Sequence, residues 1–258
     1  MGDDVPLNGK AGAVYEVFKT HRSIRRYKRE PVKEEHARLI LEAARRAPTD
    51  ASMHLWSAVW VRSQEVKDRI AGAIGQEHVS QAGMFLVFNA DLYRVYRVLQ
   101  YRGLEPARDD TALLIFAAID ASLAAENAAV MAEALGYGTC FIGAVQNAAD
   151  RIIEWLGLPR HVYPLFGLTI GVPDEDPPVR PRLPLEYLVH EDRYRDYSEG
   201  DIEAMLEAMK TITRRRDWSR VLARYASSQG YFSERSRILL ELLKRQGFRL
   251  PVTTDRGP

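Results

Sequence analysis

The chain has 258 residues, of which 46% are hydrophobic and 28% charged, and its formal net charge is +1. This near-neutral balance argues against a nucleic-acid-binding protein, because such proteins usually carry a basic excess. A single cysteine, Cys140, excludes an intrachain disulfide and any zinc site built from several cysteines. It is consistent with a reducing compartment, and we expect a cytoplasmic protein without a signal peptide, since the first ten residues contain no apolar segment.

The first hundred residues predict helices and strands in irregular alternation. Residues 33–47 show the clearest helical pattern, because apolar side chains recur on one face and Pro48 follows. The polar residues between the strands expected at 58–61 and 85–88 also favour a helix. The expected elements are helices at 11–20, 33–47 and 90–103 and strands at 58–61 and 85–88.

Residues 111–135 form the most apolar stretch of the chain and predict one long helix. The stretch has the length of a membrane span, but Asp120, Glu126, Asn127 and Glu133 interrupt it. Acidic groups at that depth in lipid are costly, so we expect a core helix of a soluble protein and no membrane partner. A helix that is apolar nearly all round must be buried, either against a sheet or in a subunit interface.

The rest of the chain predicts short strands followed by a helical extension. Residues 173–184 are rich in proline and acid, which is typical of an extended surface segment. Polar helices are expected from Asp201 onward, in a locally basic tail. The alternation favours one mixed sheet wrapped by helices. The expected elements are strands at 139–142 and 165–170 and a helix at 148–156.

Common catalytic and nucleotide-binding motifs are missing from the sequence. It contains no GxxxxGK[ST], GxGxxG, HExxH, CxxC or GxSxG pattern, and its six histidines show no metal-ligand spacing. We therefore predict no metal site. Cys140 lies between apolar residues and Thr139, which favours a packed strand cysteine over a nucleophile.

Two arginine-rich segments are the strongest candidates for a binding site. The first is HRSIRRY at 21–27, where arginines can form bidentate bonds to phosphate and Ser23 adds a hydroxyl donor. The alternative is a solvated turn paired with Glu30 or Glu34. The second segment carries Arg180 and Arg182, and its alternative is an ordinary exposed loop.

Seven segments, in order from about residue 15 to 250, resemble the nitroreductase family of FMN enzymes. Each segment alone is weak evidence for the family, but all seven in the same order make the resemblance specific. The last two are similar to the longer NADPH-preferring subgroup, the major nitroreductase and bacterial flavin reductase type. The segments are HRSIRRY with EPV at 30–32, APTDAS at 47–52 with His54 and Trp56, GQEHV at 75–79, LGYGTCFIG at 135–143, LP at 158–159 with PLFGLTIGVP at 164–173, RPRLP at 180–184 and VHE at 189–191.

The resemblance implies an α+β, nitroreductase-like fold. A central mixed, mostly antiparallel sheet would be flanked by helices, one of them long and buried. It further implies a homodimer with two FMN sites at the interface. Residues 1–200 would form the FMN-binding core, and residues 201–258 a helical extension that embraces the partner subunit.

The resemblance also assigns roles to particular residues. One group would meet the flavin phosphate or ring edge, a second would line the flavin, and a third would place a backbone N–H near flavin N5. A basic segment at 211–216 would meet the extra phosphate of NADPH, with a solvated helix end as the alternative. The FMN candidates are His21, Arg22, Ser23, Arg25, Thr49, Asp50, Ser52, Gln76, Phe141, Ile142, Gly143, Ala144, Arg180 and Arg182, and the NADPH candidates are Arg214, Arg215 and Arg216.

The implied activity is transfer of hydride from NADPH to FMN, then of electrons to a second acceptor, in a ping-pong cycle. Nitroaromatics, quinones, free flavin and metal oxyanions are the candidate acceptors, and flavin N5 rather than a side chain performs the chemistry. The loop with Asp50, Ala51, Ser52 and His54 departs from the family pattern, as do Ala144 and Gln146. These departures affect flavin tuning and substrate choice more than flavin binding. The alternatives are a dehalogenating or flavin-consuming enzyme of the same fold, and a non-catalytic FMN-binding protein.

Overall fold

The computed structural model of the protein describes residues 8–212 and 217–251, which contain four strands and ten α-helices. Short 3-10 helices occupy Asp50–Ser52, Gly143–Ala148, Leu185–Tyr187 and Lys210–Ile212. The strands are β1 (Trp56–Trp60), β2 (Met84–Asp91), β3 (Gly138–Ile142) and β4 (Val162–Gly171). The helices are α1 (Gly9–Thr20), α2 (Glu34–Arg45), α3 (Gln64–Ile74), α4 (His78–Gln81), α5 (Tyr93–Tyr101), α6 (Thr111–Ala134), α7 (Ala149–Trp155), α8 (Glu199–Ala208), α9 (Ser219–Ala226) and α10 (Tyr231–Arg245).

The strands form one sheet in the order β1-β2-β4-β3, and each neighbouring pair is antiparallel. A parallel bridge between Ser23 and Thr139 makes the sheet mixed at its β3 edge. The expected α+β class with a mostly antiparallel sheet is therefore confirmed. β4 begins earlier than the pattern predicted, because Pro164 lies at an irregularity opposite Asn89, where the ladder tolerates a missing N–H.

Helices cover both faces of the sheet because the strands are apolar on both sides. On β2, Leu86 and Phe88 face a cluster that contains the apolar stripe of α2 and the alanines of α6. The alternate residues Phe85 and Val87 face a second cluster with α3 and the segment leading into α7. Cys140 belongs to this second cluster and is 2% exposed, as expected for a packed strand cysteine.

The long helix α6 packs its small residues against the sheet and leaves large ones exposed. Its buried face is made almost wholly of alanine, from Ala117 to Ala132. The opposite face carries exposed Ile115, Phe116 and Ile119. By length and composition α6 could cross a membrane, yet its alanine face lies in the core and Asp120 is buried there. The expected burial thus holds for one face of the helix.

The chain divides into two compact units. The first comprises the described residues up to Pro177 together with those from Glu241, and the second comprises Pro178–Leu240. The second unit contains α8, whose start is fixed by a capping box between Ser198 and Asp201. The functional division at residue 200 concerns FMN binding and dimer contacts, and it stays a prediction.

Candidate functional site

The arginine-rich segment at 21–27 lies along the free edge of β3. Ser23 bridges to Thr139, and the Ile24 backbone N–H donates to the Thr139 carbonyl at 2.8 Å. The Tyr27 hydroxyl donates to the Ile24 carbonyl at 2.7 Å and lies 2.9 Å from the hydroxyl of Thr169. Burial raises the pKa of Tyr27, so the phenol stays protonated and keeps this segment against the sheet.

Two glycines allow that close approach. A Cβ added to Gly138 would lie 2.6 Å from Cγ1 of Ile24, and one added to Gly171 would lie 2.8 Å from the Tyr27 ring. Side chains at these positions would push the segment away from β3 and β4. The glycine-rich start of β3 therefore serves packing of the arginine segment.

An acidic stretch after β4 pairs with the same segment. Arg22 forms an ion pair with Asp176, and Arg26 donates to the Asp174 carbonyl at 2.7 Å. Glu175 accepts from the backbone N–H groups of Arg25 and Arg26, at 2.5 and 3.1 Å. The acids that meet these arginines thus come from about 150 residues further along the chain. Neither Glu30 nor Glu34, the partners that the turn interpretation suggested, fills that role.

Glu34 instead pairs with Arg62 at 2.9 Å. The pairing of Arg22 is also incomplete. Its Nε atom is buried and has no hydrogen-bond partner among the described residues. An unmet buried N–H donor is costly, and the guanidinium, on a side chain that is 33% exposed, can reach an anionic ligand.

His21 is held by a carboxylate on the last turn of α6. Its Nδ1 lies 2.9 Å from Oε1 of Glu133, and the Thr139 hydroxyl donates to the same oxygen at 2.5 Å. Glu133 therefore joins the helix, the arginine segment and β3 at one point. The sequence identified Glu133 only as an interruption of an apolar stretch, and its helical position relative to His21 could not be foreseen.

Gln76 follows the C-cap of α3, where Gly75 adopts φ 65°. It is half-buried and borders a cavity of about 890 Å³. Two residues on, His78 is 6% exposed and its Nε2 lacks a hydrogen-bond partner among the described residues. Burial lowers the pKa of His78, nearby Arg25 lowers it further, and Glu175 opposes them. The influence of Arg25 and Glu175 on this pKa indicates that His78 lies near the arginine segment.

His78 was not among the expected site residues. The one sequence signal was its place in the GQEHV segment, beside Gln76. Nε2 of His78 and Nε of Arg22 are thus two buried polar atoms without a hydrogen-bond partner among the described residues. The Arg22 Nε–H donor and the His78 Nε2, which donates or accepts according to the tautomer, fit a ligand with a phosphate and further hydrogen-bonding groups, as FMN has.

The expected flavin-facing residues lie at the end of β3. Phe141 is 38% exposed, and its ring centroid lies 5.8 Å from that of Phe166. Ile142 points into the core, and Gly143 opens a 3-10 helix with nothing within 4 Å of an added Cβ. Ala144 follows and is half-buried. A flat ring could therefore approach the backbone at 141–143 without meeting a side chain of Gly143.

Gln146, a departure from the family pattern, forms hydrogen bonds with the first residues of β4. Its Nε2 donates to the carbonyls of Pro164 and Leu165, at 2.7 and 2.6 Å, and its Oε1 accepts from Tyr163 at 2.7 Å. The side chain therefore stabilises the irregular start of β4.

The loop before β1 is held by a buried acid on α6. Asp120 is 1% exposed and accepts from the backbone N–H groups of Asp50 and Leu55, each at 3.0 Å. Between them Ala51 and Ser52 adopt positive φ, at 44° and 57°. Such backbone is costly for residues with a side chain, so Asp120 compensates for strain in the loop. Three residues of this loop are expected to line the flavin. Thr49 and Asp50 are half-buried, and Ser52 is exposed.

This loop and the arginine segment lie at opposite corners of the sheet. β1 and β3 are its two edge strands, so three interstrand steps, roughly 14 Å, separate them. Along the strands, Trp56 is aligned with Tyr163 and Thr139 with Ile170, which adds roughly 23 Å. Asp120 and Glu133 are thirteen positions apart on α6, a rise of roughly 20 Å. One chain does not gather both groups around one ligand.

The remaining expected residues lie outside this unit. Arg180 and Arg182 are exposed in the second compact unit, where Arg182 donates to the carbonyls of Arg180 and Pro181 at 3.2 and 3.3 Å. The candidates Arg214, Arg215 and Arg216 lie outside the described residues.

Comparison with known proteins identifies the family. Residues 18–172 match the family model described as the Nitroreductase family, and residues 180–251 match that of the Nitroreductase family, C-terminal domain. The first match alone covers more than half of the chain. The protein belongs to the nitroreductase family.

Individual relatives cover nearly the full length of the chain. An NADPH-dependent oxidoreductase of Staphylococcus aureus is 32% identical over 248 residues, which is 91% of this chain and 97% of the relative. The crystal structure of nitroreductase A from Vibrio parahaemolyticus has a TM-score of 0.83 at 31% identity, covering 95% of this chain and 99% of that one. The NADPH:FMN oxidoreductase of Vibrio harveyi, complexed with NAD+, has a TM-score of 0.82 at 31% identity, with 92% and 99% covered.

Proposed function

We propose that the protein is an FMN-dependent NADPH oxidoreductase that reduces small acceptors such as nitroaromatics, quinones, free flavin or metal oxyanions. The observation that carries the proposal is the arginine segment at 21–27, fixed along β3 with a buried, unpaired Arg22 Nε. Membership of the nitroreductase family and the likeness to the NADPH:FMN oxidoreductase of Vibrio harveyi support the cofactor and the electron donor.

Arg22, Ser23 and His21 would hold the cofactor phosphate. The Arg22 guanidinium would donate charge-assisted hydrogen bonds to the phosphate oxygens, and the Ser23 hydroxyl would donate a neutral one. Glu133 keeps the His21 ring in one orientation. We further propose Arg180 and Arg182 as phosphate-binding residues. Arg25 and Gln76 would meet the polar edge of the ring or the ribityl chain.

FMN held by these residues would supply two-electron chemistry between NADPH and a second acceptor, in a ping-pong cycle. Phe141, Ile142, Gly143 and Ala144 would lie along one ring face and direct a backbone N–H toward N5. Such preorganised N–H groups stabilise developing negative charge. No side chain of this chain needs to act as an acid or base. Arg214, Arg215 and Arg216 would bind the extra phosphate of NADPH.

The division of the site between two corners of the sheet supports a homodimer. Thr49, Asp50 and Ser52 line a flavin only if they approach the arginine segment, and within one chain the sheet keeps these groups apart. A second copy related by a two-fold axis would bring the loop of one protomer to the arginine segment of its partner. Two equivalent FMN sites at the interface follow.

The exposed face of α6 provides an apolar surface for that interface. Ile115, Phe116, Ile119 and Leu123 are between 39% and 58% exposed in the single chain. Contiguous apolar side chains of this kind are typical of subunit contacts. The extension from residue 201 would embrace the partner, and its exposed Phe232 is a candidate contact. We place the protein in the cytoplasm, where NADPH is available and Cys140 stays reduced.

The first test is the visible absorption spectrum of the purified protein, before and after anaerobic addition of NADPH and, separately, NADH. A flavin spectrum that bleaches faster with NADPH is the expected result. A flavin spectrum that neither NADPH nor NADH bleaches would indicate a non-catalytic FMN-binding protein. A colourless protein that takes up no added FMN would overturn the cofactor assignment. Stable flavin over repeated turnovers distinguishes the reductase from a flavin-consuming enzyme.

A further inference from the structure

A cavity of about 480 Å³ lies away from the proposed flavin site, between α5 and the end of the described chain. It shares no residue with the arginine segment, the loop at 49–55 or the end of β3. All its lining residues belong to the first compact unit. Aromatic rings and guanidinium groups dominate the lining: Tyr93, Tyr96, Arg97, Arg160, His161 and Arg249.

A buried carboxylate fixes one wall of this cavity. Asp110 is fully buried and accepts from the Tyr96 hydroxyl at 2.5 Å, from the Arg249 guanidinium at 3.1 Å and from the Arg249 backbone at 2.8 Å. Burial and the hydrogen bond to Asp110 raise the pKa of Tyr96, which therefore remains a neutral donor. These partners fix the Asp110 carboxylate, and its charge is offset by the ion pair with Arg249.

Two further arginines lie at the cavity without an acid partner. Arg97 and Arg160 form no ion pair within the part of the chain that the structure describes. Arg97 donates to the Tyr93 hydroxyl at 3.2 Å. The Arg160 guanidinium lies over Gly247, where an added Cβ would approach its Nη2 to 2.8 Å, and Gly247 adopts φ 96°. The backbone at Gly247 leaves room for the guanidinium of Arg160, whose charge has no ion-pair partner among the described residues.

The walls between these cations are aromatic. The Tyr96 and His161 ring centroids lie 5.1 Å apart at an interplanar angle of 77°, and His161 lies 6.0 Å from Phe248. Burial lowers the pKa of His161, Arg249 and Arg160 lower it further, and Asp110 opposes them. The imidazole is thus a neutral ring in the wall. His161 also adopts φ 65°, an unfavourable backbone for a residue with a side chain.

We propose that this cavity binds a small aromatic carboxylate. The ring would pack against His161 and the exposed ring of Tyr93, and the carboxylate would meet the guanidinium groups of Arg97 and Arg160, which bind it in bidentate geometry. Three arginines face one carboxylate, so the lining selects an anion. The volume lies in the range of small-molecule sites, roughly 300–1,000 Å³. The proposal is independent of the flavin chemistry.

The test is calorimetric titration of the flavin-loaded protein with benzoate, benzamide, cyclohexanecarboxylate and inorganic phosphate. Benzoate is expected to bind saturably and more tightly than the other three, because only it combines an aromatic ring with a negative charge. Arg160→Gln is expected to weaken benzoate binding about tenfold, the cost of a lost charge-assisted hydrogen bond. Arg102→Gln, an exposed arginine at the end of α5 that does not line the cavity, is the matched control and is expected to bind as the unmodified protein does.

Three outcomes would overturn the proposal. If phosphate or cyclohexanecarboxylate binds as tightly as benzoate, the cavity does not recognise the aromatic ring. Benzoate binding unaffected by both Arg160→Gln and Arg97→Gln, accompanied by a change in the flavin absorption spectrum, would place the ligand at the flavin instead. Absence of benzoate binding at millimolar concentration would exclude the site. The two variants are expected to keep flavin content and NADPH oxidation unchanged, which separates this test from that of the proposed function.

Discussion

The two acids on α6 organise their surroundings in different ways. Asp120 is 1% exposed and holds two backbone N–H groups of a loop with positive φ angles. Glu133, with 14% side-chain exposure, holds two side chains, the His21 ring and the Thr139 hydroxyl. The first acid therefore determines the path of the chain, whereas the second determines the orientation of groups that a ligand would contact.

The difference indicates which positions tolerate change. A buried carboxylate bound to backbone donors cannot be removed without leaving those donors unpaired, so its loss affects folding. A partly exposed carboxylate can be replaced by water, so its loss affects mainly the geometry of its partners. In the proposed dimer both corners belong to one site, and each chain contributes the loop held by Asp120 and the arginine segment next to Glu133.

The largest effect is expected from Ile119→Asp, on the exposed face of α6. A charge in the proposed apolar interface costs several kcal/mol when it remains unpaired, so the variant should become monomeric and lose FMN together with the dimer. Light scattering and flavin content measure both. Leu39→Asp, on α2 and similarly exposed (49% against 46%), is the control. A monomeric variant that keeps its FMN would contradict the idea that the two corners meet across subunits.

Asp120→Ala should lower the free energy of unfolding by about 3–5 kcal/mol, because two N–H donors lose their acceptor in the core. Asp120→Asn keeps one acceptor oxygen and should lose roughly half as much. Urea denaturation measures both. Glu126→Ala, exposed on the same helix, should be nearly neutral. Equal stability of the Asp120 and Glu126 variants would mean that the loop is held by other contacts.

Glu133→Gln should weaken FMN binding by roughly three- to tenfold, about 1 kcal/mol, with little change in stability. The charge-assisted contact with His21 is lost, while the amide oxygen can still accept from Thr139. Fluorescence titration of the apoprotein with FMN measures the affinity, and Glu126→Gln controls for the change in helix charge. A variant that unfolds more easily and binds FMN normally would reverse the roles assigned to the two acids.

The smallest effect concerns pH. Burial and Arg25 lower the pKa of His78 in the folded protein, whereas in the unfolded chain it is near 6.5. At pH values up to about 6.5 the unfolded state therefore binds more protons, so stability rises as the pH increases from the acidic side toward that value. His78→Gln should make this slope shallower, measured by urea denaturation across that range. An unchanged slope would assign the pH dependence to His161, whose pKa is also lowered by burial.

Much of the architecture was accessible from the sequence because it depends on local patterns. The helix at 33–47 was predicted from apolar spacing and Pro48, and the structure has it as Glu34–Arg45. The long helix was predicted to within one residue, since its composition leaves no other element possible. The resemblance to the nitroreductase family, built on the order of its motifs, is confirmed by the family matches.

Other features depend on contacts between distant residues. The sequence alone determined the helical and strand segments, the arginine segment and the family, because spacing, composition and motif order are properties of the chain. Only the tertiary structure decided that Glu175 and Asp176 face the arginines, that Glu133 and Asp120 hold opposite corners, and that Arg97 and Arg160 meet Tyr96 and His161 at one cavity. Those pairings join residues about 60 to 150 positions apart, and only packing of the sheet and α6 brings them together.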